Sequence, residues 1–519
     1  MSFTSFDIFL YIFALLFFPV FIYTKFFTRS SATYGPPTYP FIGCLISFYQ
    51  NRRRLLDWYT QLLAKSPSQT IVVNRLGAVK TIVTANPENV EYILKTNFIN
   101  FPKGHQYAEL LGDLLGQGIF VVDGELWATQ RKMASHEFTT NSLKEFVVES
   151  LEDEVKSRLF PLLHSAAKEG KIIDLQEVLK RFTYDTICQV ALGTDPNCLD
   201  LSVPLPPLIT AFETAAEISA FRGTTPIHLI WKLKRAFNLG SEAKLKQCIT
   251  KIHATMSNII HQKQQSISAS KSNTQNPNPS NNDLLSRFLS SGYDIELARD
   301  MTMSFILAGR DTSAAAMTWL FWLISTDNTF ARDNIRAELG SGQLELGYEV
   351  VKKEMRYLHA CLYESMRFYP PVAWDSKHAA NDDVLPDGTT VKKGERVTFF
   401  PYGMGRMQKI WGNDWSKFNP DRWFETNKID HDQDKKDGID SHRVLKTVNP
   451  FMYPVFQAGP RICLGKEMAF IQMKYIMASI ISRFDFEPIS VEQPVYVPLL
   501  TAQMAGGFRV RVKEIGVVS

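Results

Sequence analysis

Phe456-Gln457-Ala458-Gly459-Pro460-Arg461-Ile462-Cys463-Leu464-Gly465 sets one cysteine in a tight, glycine-bounded loop, and an apolar helical pattern (Met468, Ala469, Phe470, Met473) starts directly after it. A helix start aims free N–H groups at whatever precedes it. Such donors stabilise a thiolate and lower a thiol pKa. Gly459 and Gly465 allow close backbone approach or a positive φ. Phe456 can wall one side, and Arg461 can meet an anionic group. A shielded thiolate at a helix N-terminus, beside a cation, is what an axial haem ligand needs. Thiolate ligation donates electron density to the iron and favours O–O cleavage.

The rest of the chain is consistent with one large domain. Its 519 residues are enough for about three average domains by length alone, but no second block of composition appears. Apolar residues make up 45%, enough for a sizeable core. A net charge of +4, with no basic tract interleaved with aromatics, argues against nucleic acid. The six cysteines, Cys44, Cys188, Cys198, Cys248, Cys361 and Cys463, are sparse and show no C-x-x-C spacing. That excludes a disulfide scaffold and a zinc site and suits a reducing compartment.

Ile8 to Tyr23 is almost wholly apolar, and with its flanks to Phe27 approaches the about 20 residues that span a bilayer. Asp7 precedes the run; Lys25, Arg29 and Arg52 to Arg54 follow it. A signal peptide would show the opposite charge order. The positive-inside rule places the N-terminus in the lumen and the rest in the cytosol. The expected organisation is a membrane anchor at 1–29, a Pro-rich hinge at 30–50 and a catalytic domain at 51–519. Thr70–Asn74 and Val79–Thr84 read as a hairpin around Gly77. Leu111 to Phe120, apolar with three glycines, reads as a loop lining a cavity. Gln262 to Asn282, rich in Gln, Ser, Asn and Pro, reads as a disordered surface loop, and Thr426 to Arg443 as a polar surface insert. The tail reads as two β segments turning at Gly506-Gly507.

Three further patterns stand out. Trp127 and Arg131 share one helix face at i, i+4. Glu296 to Ser325 is the longest helical pattern, with Ala308-Gly309-Arg310-Asp311-Thr312 in an apolar run. Thr312 can bond its own i−4 carbonyl and loosen the ladder, and Arg310 points elsewhere, toward an expected ion pair outside. Glu364 and Arg367 sit i, i+3 on a helix ended by Pro370 and Pro371.

With Phe456, Gly459, Arg461, Cys463 and Gly465 at every fixed position of its haem loop, the chain resembles the cytochrome P-450 superfamily. The resemblance spans roughly residues 34 to 515 and implies a mainly α fold, a helical triangular prism with a smaller β-rich region. It implies haem b with Cys463 as iron ligand. Trp127 and Arg131 would meet a haem propionate. Thr312 would hold dioxygen and water over the distal face, Asp311 would help relay protons, and the small Ala308 and Gly309 would leave room for O2. Glu364, Arg367 and Arg422, the last from Pro420-Asp421-Arg422-Trp423, would form a buried structural triad; Trp423 stands where phenylalanine is common.

The implied reaction is O2-dependent monooxygenation. No nucleotide-binding glycine fingerprint is present, so electrons from NADPH would arrive through a diflavin reductase in the same endoplasmic reticulum membrane. Basic residues such as Arg131, Lys132 and Lys466 are candidates for its docking face. Longer stretches (116–120, 122–127, 131–138 and 304–323) resemble the plant fatty-acid ω-hydroxylase branch, which implies attack at or near the terminal carbon of a long aliphatic chain. A sterol side chain and a jasmonoyl-amino-acid conjugate stay open as substrates, and a haem-thiolate hydroperoxide isomerase as another class. Candidate pocket residues are Leu115, Ile119, Phe120, Phe305, Val372, Trp374 and Leu500. Lys103, Arg222 and Lys377 are candidates to meet a substrate carboxylate.

Overall fold

Asp294 opens the helix that organises the molecule: its carboxylate accepts from the backbone N–H groups of Glu296 and Leu297, and the helix then runs unbroken from Ile295 to Ser325. Its middle and C-terminal parts are apolar nearly all round, which requires burial on every side. In the computed structural model, which describes Phe17 and residues 34–39, 41–139, 141–225, 228–272, 283–340, 347–425 and 443–515, that is where it lies. The helices that matter here are, in chain order, α1 (Leu45–Asn51), α2 (Leu55–Lys65), α3 (His105–Leu115), α4 (Gly124–Thr139), α5 (Leu175–Leu192), α6 (Pro207–Thr224), α7 (Gly240–Ser272), α8 (Ile295–Ser325), α9 (Arg356–Phe368) and α10 (Lys466–Ile481). The large core gathers around α8, with α5, α9 and α10 packed against it.

A second, smaller core lies under a four-stranded sheet. Its strands β1 (Thr70–Val73), β2 (Thr81–Thr84), β3 (Asp375–His378) and β4 (Arg396–Phe399) run in the order β1-β2-β4-β3. β1 and β2 form the expected antiparallel hairpin, with Gly77 at φ +73° in its turn. β2 pairs β4 in parallel, bringing sequence-distant chain together beside the Cys463 loop. The architecture is mainly helical with a smaller β region.

Several expectations are corrected. The chain is helical from Gly240 through Ser272, because Ile260 and Ile267 bury on one face, Lys263 pairs with Asp283 at 2.6 Å, and no proline occurs between Gly240 and Pro277. Residues 273–282 lie outside the described residues. The expected hinge at 30–50 already contains α1. Leu111 to Leu115 close helix α3, and Gly116 and Gly118 serve close packing on α8: a Cβ on them would strike Asp300 and Ser304. Gly506-Gly507 does not close a hairpin. Ala502–Met504 pairs with Tyr496–Pro498, while Arg509–Glu514 crosses to Phe484–Pro488 and Ile172–Asp174. The apolar run 8–23, Phe17 apart, and the insert to residue 442 lie outside the described residues, among which no helix is long and apolar enough to cross a membrane.

Candidate active site

The Cys463 loop is closed by its own backbone, the Cys463 N–H donating to the Phe456 carbonyl at 2.8 Å. Gly459 holds φ +63°, and a Cβ there would enter the Leu94 carbonyl, so only glycine seats the loop against its neighbour. Phe456 packs on Phe470 of α10, ring centroids 5.3 Å apart. Cys463 is the one exposed cysteine of the six, yet the protein around it still desolvates the thiol. Burial raises its pKa, and the Gly465 N–H, Arg131 and Lys466 oppose this without prevailing. The expected lowering by the helix start is therefore outweighed by desolvation. Coordination to a metal removes a thiol proton outright.

Positive charge converges beside this loop. Arg131 on α4 is half-buried, has no carboxylate partner among the described residues, and feels Cys463. One turn earlier, Trp127 lies under the Arg461 guanidinium, 4.5 Å from its centre. Arg461 pairs with Asp123 at 2.7 Å, and Asp123 also accepts the Lys103 and Gly104 N–H groups. On β3, Asp375 sits between two buried ammoniums, Lys103 at 2.7 Å and Lys377 at 3.2 Å, and accepts from Gln457 of the cysteine loop at 2.6 Å. Burial alone would neutralise Asp375, but the two lysines drive its pKa far below the usual carboxylate range. Burial disfavours the charge on Lys103 too, and Asp375 more than offsets it. Burial pushes Lys377 down to about 7 despite Asp375. Two cations share one carboxylate, so the cluster is short of negative charge. Sequence reasoning named Lys103 and Lys377 but missed Asp375 and Gln457, whose contact joins segments far apart in the chain.

Most of α8 is buried, but Leu307, Ala308, Gly309 and Thr312 are only partly so. Ala308 and Thr312, one turn apart, present one face; the Thr312 hydroxyl donates to the Ala308 carbonyl at 2.7 Å. Gly309 does not face the same space. A Cβ there would lie 2.6 Å from Ile187 Cδ1, so its missing side chain admits α5. Arg310 is not outside: it is 2% exposed, stacks 4.1 Å over Tyr184, and pairs with Glu213 and, at 2.8 Å, with Asp311. Asp311 is thus tied to a buried cation that reaches Glu213 of α6, whose pKa burial raises.

Of the expected triad, Glu364 and Arg367 are buried and Arg422 is half-buried. Arg367 reaches Glu364 at 2.8 and 3.0 Å, and Arg422 at 2.9 Å. Arg367 spends its other N–H groups on the carbonyls of Gly405, Trp415 and Lys417. Trp423 supplies what phenylalanine cannot, an N–H to Glu364 at 2.9 Å. Among the pocket candidates, Phe120, Val372, Trp374 and Leu500 are partly exposed. Leu115 and Ile119 are buried, and Phe305 packs between Phe138 and Phe288, so these three belong to the core. Arg222 is buried against Glu242 and Asp113.

The family model described as Cytochrome P450 matches residues 34–504. The chain belongs to the cytochrome P450 family. It is 54% identical over 488 residues to Cytochrome P450 94B1 of Arabidopsis thaliana, covering 94% of this chain and 92% of that protein. It is 43% identical over 482 residues to Cytochrome P450 94A1 of Vicia sativa, covering 92% and 90%. The fold matches the crystal structure of the cytochrome P450DA heme domain with a TM-score of 0.74, at 19% identity, over 94% of this chain and 99% of that one. The enzyme is a cytochrome P450 monooxygenase, and its residues fit the family's haem. A thiol is accessible in a backbone-locked loop, an excess of buried cations beside that loop matches the haem's two carboxylates, and α8 leaves small or hydroxylated side chains incompletely buried.

Proposed function

We propose that this cytochrome P450 hydroxylates a long aliphatic acid at or near its terminal carbon. The observation that carries the reaction class is the accessible Cys463 in its backbone-locked loop, with the Gly465 N–H and the charges of Arg131 and Lys466 directed at it. The resemblance of residues 116–120, 122–127, 131–138 and 304–323 to the plant fatty-acid ω-hydroxylase branch supports the aliphatic substrate. Cys463 would hold haem b by its thiolate, and Arg131, Trp127, Arg461 and Lys377 would hold its carboxylates. The bound haem supplies oxygen activation and the oxidising power for an unactivated C–H bond.

The chain's own residues position and protonate. Thr312 Oγ1, its proton committed to the Ala308 carbonyl, keeps lone pairs free to accept from water or a protonated oxygen. Asp311, held at 2.8 Å by Arg310, is placed to pass protons to Thr312, and Glu213, where burial favours the protonated acid, pairs with the same arginine. The apolar wall of Phe120, Val372, Trp374 and Leu500 excludes water and aligns the chain. Electrons come from NADPH through a diflavin reductase in the endoplasmic reticulum membrane, to which segment 1–29 anchors the enzyme. Arg131 is drawn inward toward Cys463, which leaves exposed Lys132 and half-buried Lys466 for the docking face.

The test is turnover in microsomes with reductase and NADPH, offering C12 to C18 fatty acids, a jasmonoyl-amino-acid conjugate and hydroxylated sterols, with Cys463→Ala as blank. ω-Hydroxy acids as the products support the reading. Turnover of the sterol alone keeps the reaction and overturns the substrate class.

A further inference from the structure

Between α1, the start of α2, the end of α6 and the segment Gln493–Leu499 lies a cavity of about 1220 Å3. Its inner wall reaches Trp374, two residues beyond Val372, and Leu499, which adjoins Leu500. It therefore runs up to the segments expected to face substrate. It is large enough for an extended drug-sized molecule.

Its charge is unbalanced. Four arginines line it, Arg52, Arg53, Arg54 and Arg406, against a single carboxylate, Asp57, which already accepts from the Tyr402 hydroxyl at 2.8 Å. Among the described residues none of the four arginines has an ion-pair partner. Arg52 donates to the Tyr49 carbonyl at 2.7 Å and stacks on that ring. Arg54 donates to Asn51 at 3.0 Å. Arg406 donates to the carbonyls of Phe368 and Tyr402 and stacks 3.6 Å from the Tyr402 ring. Every partner is neutral, so all four charges remain uncompensated. The three cations singled out from the sequence are the reverse case: Arg222 is buried between Glu242 and Asp113, and Lys103 and Lys377 are buried on Asp375 beside the Cys463 loop, away from this cavity's lining.

Cationic groups at the edge of a low-dielectric cleft focus a positive potential and concentrate anions. A guanidinium offers a planar fork that fits a carboxylate with two hydrogen bonds. The aromatic wall beyond, Trp374 and Tyr496, suits an aliphatic chain and not a second charge. We propose that Arg53 and Arg54, backed by Arg406, bind the carboxylate of the substrate at the mouth of this cavity, so that the methyl end of the chain enters first and is the end oxidised. The proposal rests on the acid reading above and deepens it. Fatty acids and acyl-amino-acid conjugates both carry the required anion; a sterol does not.

The test uses the full-length haem-loaded enzyme and the double variant Arg53→Gln/Arg54→Gln, compared at equal reduced-CO absorbance so that only folded protein counts. Each is titrated with dodecanoic acid and with methyl dodecanoate, reading the substrate-induced Soret shift. The wild type is expected to prefer the acid. The variant is expected to lose roughly tenfold in affinity for the acid and nothing for the ester, with Arg53→Lys/Arg54→Lys recovering part of the loss. Equal weakening of both ligands, or no change, overturns the proposal. Vesicles of phosphatidylcholine with phosphatidylserine give a further arm: if the variant floats less with them while its acid preference is intact, the arginines serve lipid headgroups and the proposal fails. A wild type that binds neither probe but binds a hydroxylated sterol overturns the acid reading and this proposal together. A variant that keeps the wild-type acid preference overturns this proposal alone.

Discussion

Trp423 shows how one atom accounts for a residue choice. Its indole N–H is one of five groups on the Glu364 carboxylate, with two from Arg367, one from Arg422 and the Asn419 backbone N–H. Glu364 is fully buried, so each donor offsets part of a large desolvation cost. Trp423→Phe keeps most of the packing and deletes that donor. It is expected to cost about 1.5–3 kcal/mol, read as a lower urea midpoint with haem content unchanged. The sequence supplied Glu364, Arg367 and Arg422 by pattern, and their burial follows from the structure. It also supplied Cys463 and Thr312, because both lie in short local motifs. Arg310 was misjudged since helical spacing shows a direction but not the Tyr184 and Glu213 waiting there. The Asp375 cluster was illegible for the same reason: Lys103, Asp375 and Gln457 come from three separate parts of the chain.

Between elements, two contacts set how the proximal and distal helices are held. His359 of α9 lies flat on Phe470 of α10, rings 4.0 Å apart and 4° from parallel. Burial, with Lys474 and Lys466 nearby, lowers its pKa to about 3. A histidine whose folded pKa lies below its unfolded one, near 6.5, makes the unfolded state bind the extra proton. Its contribution is complete above pH 6.5 and lost as the pH falls toward 3, at up to about 1.4 kcal/mol per pH unit. His359→Phe preserves the stack and is expected to flatten the acid limb of stability between pH 6 and 4, measured by urea unfolding; an unchanged limb would assign it to other groups. On the distal side, Gly309 admits Ile187 of α5. Gly309→Val is expected to cost about 1–3 kcal/mol by overpacking, and Ile187→Ala in the same chain to recover much of it. A double-mutant cycle reads the coupling; simple additivity would show that the two side chains do not meet.

At the scale of the whole molecule, the helical core was legible because α8 is a long apolar run opened by the Asp294 cap, α9 is amphipathic and stopped by Pro370 and Pro371, and α10 is a largely apolar run directly after Gly465. The β1–β2 hairpin was legible too, but the pairing of Arg509–Glu514 with Ile172–Asp174, far away in the chain, was not, since no local signal encodes such a register. The arginine-lined cavity also emerges only when α1, α2, α6 and the C-terminal strands are brought together. Its mouth bears on the anchor. Arg52 to Arg54 follow the Pro-rich hinge within about twenty residues, and the exposed Phe41, Ile46 and Tyr49 lie along the same stretch. An anchor at 1–29 would therefore hold this face against the bilayer, where a lipophilic acid partitions before it enters. Deleting residues 2–29 is expected to release the protein from the carbonate-washed membrane fraction. Its dodecanoic acid affinity in detergent-free buffer should stay near that of the full chain, because the arginines and aromatic wall are untouched. Turnover supported by membrane-bound reductase should fall several-fold, because the two proteins no longer share a surface. Retention of the truncated chain in washed membranes would place the anchoring on the exposed apolar residues of the folded domain and not on the N-terminal run.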